Sequence, residues 1–393
     1  MKKNIIIYVG GFKLPDKNAA AQRVMSNGKI FTSLDYKVVY LGVNNELNDR
    51  KKVYKIQENT ENNMFEEKYP SNYKEWFEYI TSIKNIYSLV NNEYKDRVRA
   101  IVAYNYPAIA LWKLRRYCKK NKIELFSDCT EWYSNNHGNY IFRIIKGCDT
   151  FLRMKLINPR LDGVICISEY LYKEYKNRTK TALLPPLVDL EDNKWNDYIK
   201  LDEEKNYIKL VYAGSPEIEK GENSKDRLDI IIKYLFMLKE KIDFRLNIVG
   251  INREDYLKVF ESHKYILEEL GERVVFKGRE NHVNVIKLIR SSDFSIFTRN
   301  NNRVTRAGFP TKFVEAISSG IPVITNTSSD LKKYLIDGYN GFIVDIGNEK
   351  DTLIKLEKIF NMSNSQIKEM KTNCIKSRLF DYRKYIKDIN DFL

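Results

Sequence analysis

Histidine, paired cysteine and long apolar runs are what this 393-residue sequence has least of. Its three histidines, His137, His263 and His282, are scattered, and no Cys/His cluster has the spacing of a zinc site. The five cysteines (Cys118, Cys129, Cys148, Cys166, Cys374) are an odd number with no C-x-x-C spacing. That argues against a disulfide framework and for free thiols in a reducing cytoplasm. No apolar stretch approaches the ~20 residues that span a bilayer. The opening MKKNIIIYVGG is apolar only from Ile5 to Val9, too short for the core of a signal peptide. No repeat of solenoid length and no low-complexity tract stands out. An Asp-x-Asp pair that would hold a divalent metal is also missing. So are a zinc finger, an RRM signature and a base-reading basic helix, and no nucleic-acid partner is expected.

What is present is charge and order. The formal net charge is +15, and it is uneven: residues 1–186 hold 32 Lys/Arg against 19 Asp/Glu, the rest 35 against 33. A basic first half implies an anionic partner such as a membrane surface, a pyrophosphate lipid or an acidic glycan. The chain is read as cytoplasmic and peripheral on the inner face of the plasma membrane.

Short apolar runs alternate with longer helical patterns, which predicts an α/β fold with doubly wound sheets. Residues 4–9 (NIIIYV) read as a fully buried strand. Gly10 and Gly11 turn the chain, and Ala20, Val24, Gly28 and Phe31 then recur at helical spacing. Strands are expected at 37–43, 100–104, 122–127, 163–167 and 181–184. Pro185 and Pro186 break the pattern, and the polar stretch after them reads as a linker. A second alternation starts at 208–213, with strands at 244–249, 273–276, 294–297, 321–324 and 342–344. The expected organisation is a first Rossmann-like domain over 1–186, a linker over 187–206, a second such domain over 207–375, and a terminal helix over 376–393 that crosses back to the first domain. Residues 58–79 are polar and aromatic without a clear period, and read as a mobile loop or a surface helix. Residues 140–160 interleave Ile141, Phe142, Ile144, Ile145, Phe151, Leu152, Leu156 and Ile157 with Arg143, Lys146, Arg153, Lys155 and Arg160. That suits a helix at an anionic interface or one packed on its own sheet.

The densest chemistry lies at 306–345. A loop with Gly308 and Pro310 runs into a helix carrying Lys312 and Glu315, Gly320 ends it, and an apolar strand follows. A helix N-terminus facing the end of a buried sheet offers free amides and a dipole to an anion. Lys312 adds a point charge for phosphate, and Glu315 a carboxylate that can accept from ribose hydroxyls. Glu315, Ala316, Gly320, Pro322 and Val323 resemble the second half of the donor-nucleotide motif of the retaining family 4 glycosyltransferases. The first Glu of that motif falls on Ala307, so the donor-sugar contact is not carried over. The resemblance implies a GT-B fold, two Rossmann-like doubly wound domains with a cleft between them. It also implies a retaining, metal-independent hexosyl transfer from a nucleoside diphosphate sugar to a glycan or lipid-linked acceptor in bacterial surface polysaccharide biosynthesis. The sugar nucleotide is a co-substrate; no separate cofactor is expected. The first domain would hold the acceptor and the second the donor.

The resemblance also assigns roles. Gly214 and Ser215, the loop of Gly278 and Arg279, and the turn of Phe309, Pro310 and Thr311 would contact the donor nucleotide with Lys312 and Glu315. Lys225 would stabilise the leaving diphosphate, with Lys220 or Arg227 standing in for a partner arginine. Gly10, Gly11, Arg303 and Arg306 would lie on the donor-sugar or acceptor side, and Arg299 is a further candidate for phosphate. Asp128 and Glu131, with Thr130 between them, would orient the acceptor hydroxyl or act as base; the same residue types also suit a helix N-cap. Two other classes remain open: a sugar-nucleotide epimerase of the same architecture, and a catalytically degenerate binding protein that lost its chemistry with the first motif Glu.

Overall fold

Both runs of strands form largely parallel sheets. The computed structural model describes residues 3–133, 140–196, 206–216 and 224–393. The first sheet contains β1 (Ile5–Gly10), β2 (Lys37–Asn44), β3 (Val53–Glu58), β4 (Asn62–Lys68), β5 (Val98–Tyr104), β6 (Glu124–Cys129), β7 (Gly163–Cys166) and β8 (Thr181–Leu183). Their order is β3-β4-β2-β1-β5-β6-β7-β8, and only the β3–β4 pair is antiparallel. β1 shows why the sequence folds this way. Its residues alternate between two cores: Ile5, Ile7 and Val9 join Leu89, Leu111 and Leu114, whereas Ile6 and Tyr8 join Val24, Phe31 and Ile389. A strand apolar on both faces needs helices on both faces, and each fully buried Ile or Val contributes ~1.5–3 kcal/mol.

The second sheet contains β9 (Ile208–Ala213), β10 (Phe244–Val249), β11 (Val274–Gly278), β12 (Phe294–Ile296), β13 (Val323–Thr325) and β14 (Gly341–Ile343). All its pairs are parallel, in the order β11-β10-β9-β12-β13-β14. Counted within the unit this is the doubly wound order 3-2-1-4-5-6, and it reverses between β9 and β12. The first sheet reverses between β1 and β5. In such sheets ligands bind outside the carboxyl ends of the strands at that reversal.

The chain divides into two compact units. Unit 1 comprises Met1–Val188, Ala307–Phe309 and Asp381–Leu393, and unit 2 comprises Asp189–Arg306 and Pro310–Phe380. The end of the chain belongs to the unit 1 core: Ile389 and Phe392 are buried, and the Phe392 ring lies 4.9 Å from that of Phe126. The boundary expected after residue 375 falls inside the helix Asn364–Ser377, which Ser363 and Gln366 start with a capping box and Arg378 ends in left-handed conformation. In the expected linker, residues 193–196 form a helical turn and 197–205 lie outside the described residues.

Residues 58–79 are corrected in part: a surface helix starts at Tyr73 and has no buried residue, but a strand precedes it. They contain the strand β4 and the helix Tyr73–Thr81. β4 (NNMFEEK) hides its strand character because Asn63, Glu66 and Glu67 are buried polar groups. Side chains pair with them: Asn63 Nδ2 donates to Tyr94 at 2.7 Å, although its Oδ1 stays without a partner, and Asn44 and Asn85 donate to Glu66 and Glu67 at 2.8 and 2.6 Å. Residues 140–160 form the helix Tyr140–Phe151, a π-helical stretch Leu152–Ile157 and a short 3-10 turn. Met154 and Ile157 are buried, but Tyr140, Ile141 and Phe151 are 76%, 68% and 58% exposed. Packing on the unit's own sheet therefore accounts only for the end of this segment.

Candidate functional site

Three glycines mark the carboxyl ends of β9, β10 and β11. Gly214 and Gly250 have φ of +140° and +107°, and a Cβ on Gly250 would lie 2.3 Å from the Gly214 carbonyl oxygen. Only glycine lets these two loops approach so closely. Gly278, with φ +67°, receives the Gly250 amide on its carbonyl at 2.7 Å.

Against Gly214 lies Lys312. A Cβ at position 214 would meet its Cε at 3.1 Å. The Lys312 ammonium is buried, donates to the Tyr212 hydroxyl at 3.0 Å and to Asp226, and sits 4.4 Å from the Tyr212 ring centroid. Arg299 Nε approaches the other Asp226 oxygen at 3.2 Å, and its Nη1 is buried without a hydrogen-bond partner. The loop around Asp226 is fixed to the strand end after β12: Arg227 donates its amide to Thr298 at 2.8 Å, and Asn300 Nδ2 donates to Ser224 at 3.0 Å.

This cluster holds more positive than negative charge. Burial pushes the Lys312 pKa down, and the Arg299 and Lys225 cations add to that against the pull of Asp226. Burial would raise the Asp226 carboxyl, but Lys312 and Arg299 outweigh it and hold it below its ordinary value. One carboxylate thus pairs with two cations beside a glycine turn at the sheet's reversal, and Lys312 also feels the Lys225 charge. An oxyanion entering there relieves the like-charge repulsion on Lys312.

Lys312 and Glu315 share the helix Thr311–Ser318, whose N-cap Pro310 supplies no side-chain cap. Glu315 lies 3.5 Å from His282 Nε2, too far for a strong hydrogen bond, so its oxygens keep capacity for a hydroxyl. Ser215 and Arg279 are exposed beside these loops, as are Arg303 and Arg306 on the helix Arg303–Ala307. Lys220 lies outside the described residues. Arg227 pairs with Asp229 at 2.8 Å rather than serving as a second phosphate cation. Unit 2 therefore brings together Gly214, Lys225, Arg299 and Lys312, with Glu315 one helical turn on. Asp226, Tyr212 and His282 have no part in the sequence-based site. Asp226 follows Lys225 directly, the one signal that could have drawn attention to it.

In unit 1, Gly10 closely approaches β5: a Cβ there would lie 2.7 Å from the Tyr104 carbonyl oxygen. Gly11 is exposed next to it, and a Cβ there would lie 3.3 Å from the Tyr79 hydroxyl. Phe309 is buried and, with Ala307, groups with this unit. The Ala307 carbonyl accepts a hydrogen bond from Ser168 Oγ at 2.7 Å.

Asp128 is a correction. It is fully buried, and Arg23 grips it through Nη2 at 2.7 Å and Nε at 3.1 Å. Tyr8 donates its hydroxyl to Asp128, and Asn27 adds a contact at 3.4 Å. Arg23 also donates to the Leu184 and Pro185 carbonyls at 3.0 and 3.2 Å. Asp128 thus locks β1, β6, the helix Ala19–Ser33 and the chain after β8 together, and both of its oxygens are taken by these partners. The N-cap alternative fails too, because residues 130–133 follow β6 without helix. Thr130 is tied to Asn105 by two bonds, at 2.6 and 3.1 Å. Glu131 is partly exposed, and its charge is felt by Tyr104 and Tyr133.

Two doubly wound, largely parallel sheets, with a cation cluster at the reversal of the second, define a protein of the GT-B fold. Solved structures agree. Sucrose-phosphate synthase from Thermosynechococcus elongatus superposes with a TM-score of 0.70 at 13% identity, covering 99% of this chain and 98% of that one. A glycosyltransferase from Rickettsia africae gives 0.69 at 14% identity, covering 100% and 98%. HepE from Anabaena, solved in complex with UDP and glucose, gives 0.61 at 13% identity, covering 98% of each. In sequence, residues 193–377 match the family model described as Glycosyl transferases group 1. An uncharacterized glycosyltransferase of Methanocaldococcus jannaschii, MJ1178, is 24% identical over 207 residues. The match spans 53% of this chain and about half, 52%, of that protein.

Proposed function

We propose that this protein is a retaining, metal-independent glycosyltransferase that moves a hexosyl group from a nucleoside diphosphate sugar to a glycan or lipid-linked acceptor in bacterial surface polysaccharide biosynthesis. The observation that carries the donor half is the cluster of Lys312, Arg299, Lys225 and Asp226 against Gly214, inside the segment that matches Glycosyl transferases group 1. Retention and the biosynthetic role rest on the family 4 resemblance.

The chemistry follows from charge. As the glycosidic bond breaks, negative charge grows on the departing diphosphate and positive character grows on the sugar ring. Lys225 and Arg299, with the amides at the start of the helix Thr311–Ser318, meet the growing diphosphate charge, a role a metal ion plays in other transferases. Asp226 holds Lys312 in place, so the site is charged before the donor arrives. Glu315 takes the ribose hydroxyls. In unit 1, Glu131 replaces Asp128 as the carboxylate offered to the acceptor hydroxyl. Because HepE was solved with UDP and glucose, UDP-glucose is the first donor to try. The test is sugar transfer to an acceptor panel in EDTA, with the anomeric configuration of the product read by NMR. A product with the donor's configuration supports the reading; an inverted product, or epimerised donor without acceptor, removes it.

The Lys312 pKa gives a pH dependence. Its ammonium attracts diphosphate only while protonated, and its folded pKa lies below the ordinary lysine value. Donor affinity is therefore expected to fall as pH rises through that lowered value, earlier than for an exposed lysine. Titrations up to the ordinary lysine pKa of about 10.4 check this; an affinity that falls no earlier than an exposed lysine titrates contradicts the role.

The acceptor half includes a membrane surface. The helix Tyr140–Phe151 exposes Tyr140, Ile141, Ile144 and Ile145 beside Arg143 and Lys146, and unit 1 carries most of the positive excess. Apolar side chains that enter the headgroup region, with basic neighbours, match an anionic leaflet. Sedimentation with anionic vesicles is expected to show binding that falls with salt, and Ile141→Glu with Ile145→Glu to lower it at least tenfold. Equal binding by the double variant would refute this surface.

A further inference from the structure

Among the described residues, Arg153 is the one large charged side chain in the set of biggest fully buried groups. Its residue is 1% exposed, and its Nε and Nη2 are buried without a hydrogen-bond partner. What it touches is the ring of Tyr133, with the guanidinium carbon 5.0 Å from the centroid. The Lys146 ammonium lies 5.4 Å from the same centroid. Two cations thus share one aromatic ring. Asp149 attracts Arg153 at longer range, but its carboxylate is engaged by the Ala108 amide at 2.7 Å. Glu131 carries the negative charge of the loop that holds Tyr133.

A desolvated guanidinium needs a counterion, because attraction to a ring repays only part of the lost hydration. The position of Arg153 is also telling. It lies in the π-helical stretch Leu152–Ile157, a local geometry often found at functional sites. Its neighbour Met154 contacts Cys129, the last residue of β6, so Arg153 stands at the carboxyl end of the unit 1 sheet. The π-helical turn buries Arg153 and Met154 while leaving Leu152 and Leu156 at the surface.

We propose that Arg153, backed by Tyr133 and Lys146, binds an oxyanion of the acceptor, a phosphate or a carboxylate. The inference rests on the acceptor role of unit 1 in the reading above and specifies its chemistry. A planar guanidinium grips two oxygens of such a group at once, which an ammonium cannot do. The acceptor is thus an anionic species, either a phosphate-bearing glycan or lipid, or a sugar acid.

The test separates this site from the donor cluster. The chain is saturated with the nucleoside diphosphate it binds, and in parallel the Lys312→Met chain is used alone. Each is titrated with inorganic phosphate and with glucuronate at constant ionic strength, following the melting temperature. A saturable rise with one of the anions is expected. Arg153→Met should abolish that rise and Arg153→Lys should weaken it at least tenfold in apparent affinity. Without anion, Arg153→Met should melt no lower than its parent, because it removes a buried charge whose Nε and Nη2 have no hydrogen-bond partner. A response to phosphate alone assigns a phosphate-bearing acceptor, and one to glucuronate alone a sugar acid. The proposal is overturned if neither anion shifts the parent, or if Arg153→Met responds as its parent does. A nucleotide titration of the wild-type chain is read separately. Its failure alongside a surviving Arg153-dependent shift removes the transferase reading and leaves the oxyanion site.

Discussion

An Asp226→Ala chain is expected to be ~3–5 kcal/mol less stable than wild type in the absence of nucleotide, and to recover part of that loss when a nucleoside diphosphate binds. Removing this carboxylate leaves Lys312 and Arg299 buried together without their shared counterion. A domain of this size has only ~5–15 kcal/mol in total, so the loss should appear as a large drop in melting temperature. The diphosphate then supplies the missing negative charge. Its thermal shift should therefore be larger in Asp226→Ala than in wild type, since ligand binding stabilises by mass action. An equal or smaller shift would mean that the cation cluster does not face the nucleotide. Acid acts on the same pair. The Asp226 pKa lies below the unfolded value of 3.8. Its stabilisation is complete above that value and is lost as pH falls through the lower, folded one.

Asp128→Ala is expected to cost a similar ~3–5 kcal/mol, because Arg23 loses its buried partner. Here nothing should restore it. Burial opposes the Arg23 charge, and Asp128 is what outweighs that penalty; no ligand reaches the position. Among molecules still folded at low temperature, the donor KM should be unchanged. Denaturant unfolding measures the first effect and steady-state kinetics the second. A stable Asp128→Ala chain with kcat reduced a thousandfold would restore Asp128 to catalysis and leave the lock unexplained.

These two aspartates show what could be read from sequence. The strands that carry or precede these side chains were legible, because β1 is an unbroken apolar run and β6 and β9 are short runs rich in apolar residues, set between longer helical patterns. The helix bearing Lys312 and Glu315 was legible from its glycine and proline punctuation. Which carboxylate is buried was not. Asp128 lies in the sequence SDCTEWY, where three polar residues look alike, and only the long-range meeting with Arg23, Tyr8 and Asn27 separates it from Glu131. Asp226 was given no role because attention went to the cation before it, Lys225, whereas its ion-pair partner Lys312 lies far along the chain. β4 escaped because its buried Asn and Glu side chains pair with partners no local pattern shows. Arg153 looked like one basic residue on an amphipathic helix, until the π-helical turn placed it inside.

The most direct test of the central claim is a calorimetric titration of the metal-free chain and its Glu315→Ala variant with UDP, GDP, dTDP and ADP. The account predicts that one diphosphate binds wild type without added metal. It also predicts that Glu315→Ala weakens that binding ~10–100-fold, the loss of charged hydrogen bonds to the ribose. Binding that is absent from wild type for all four, or unaltered in Glu315→Ala, would contradict it.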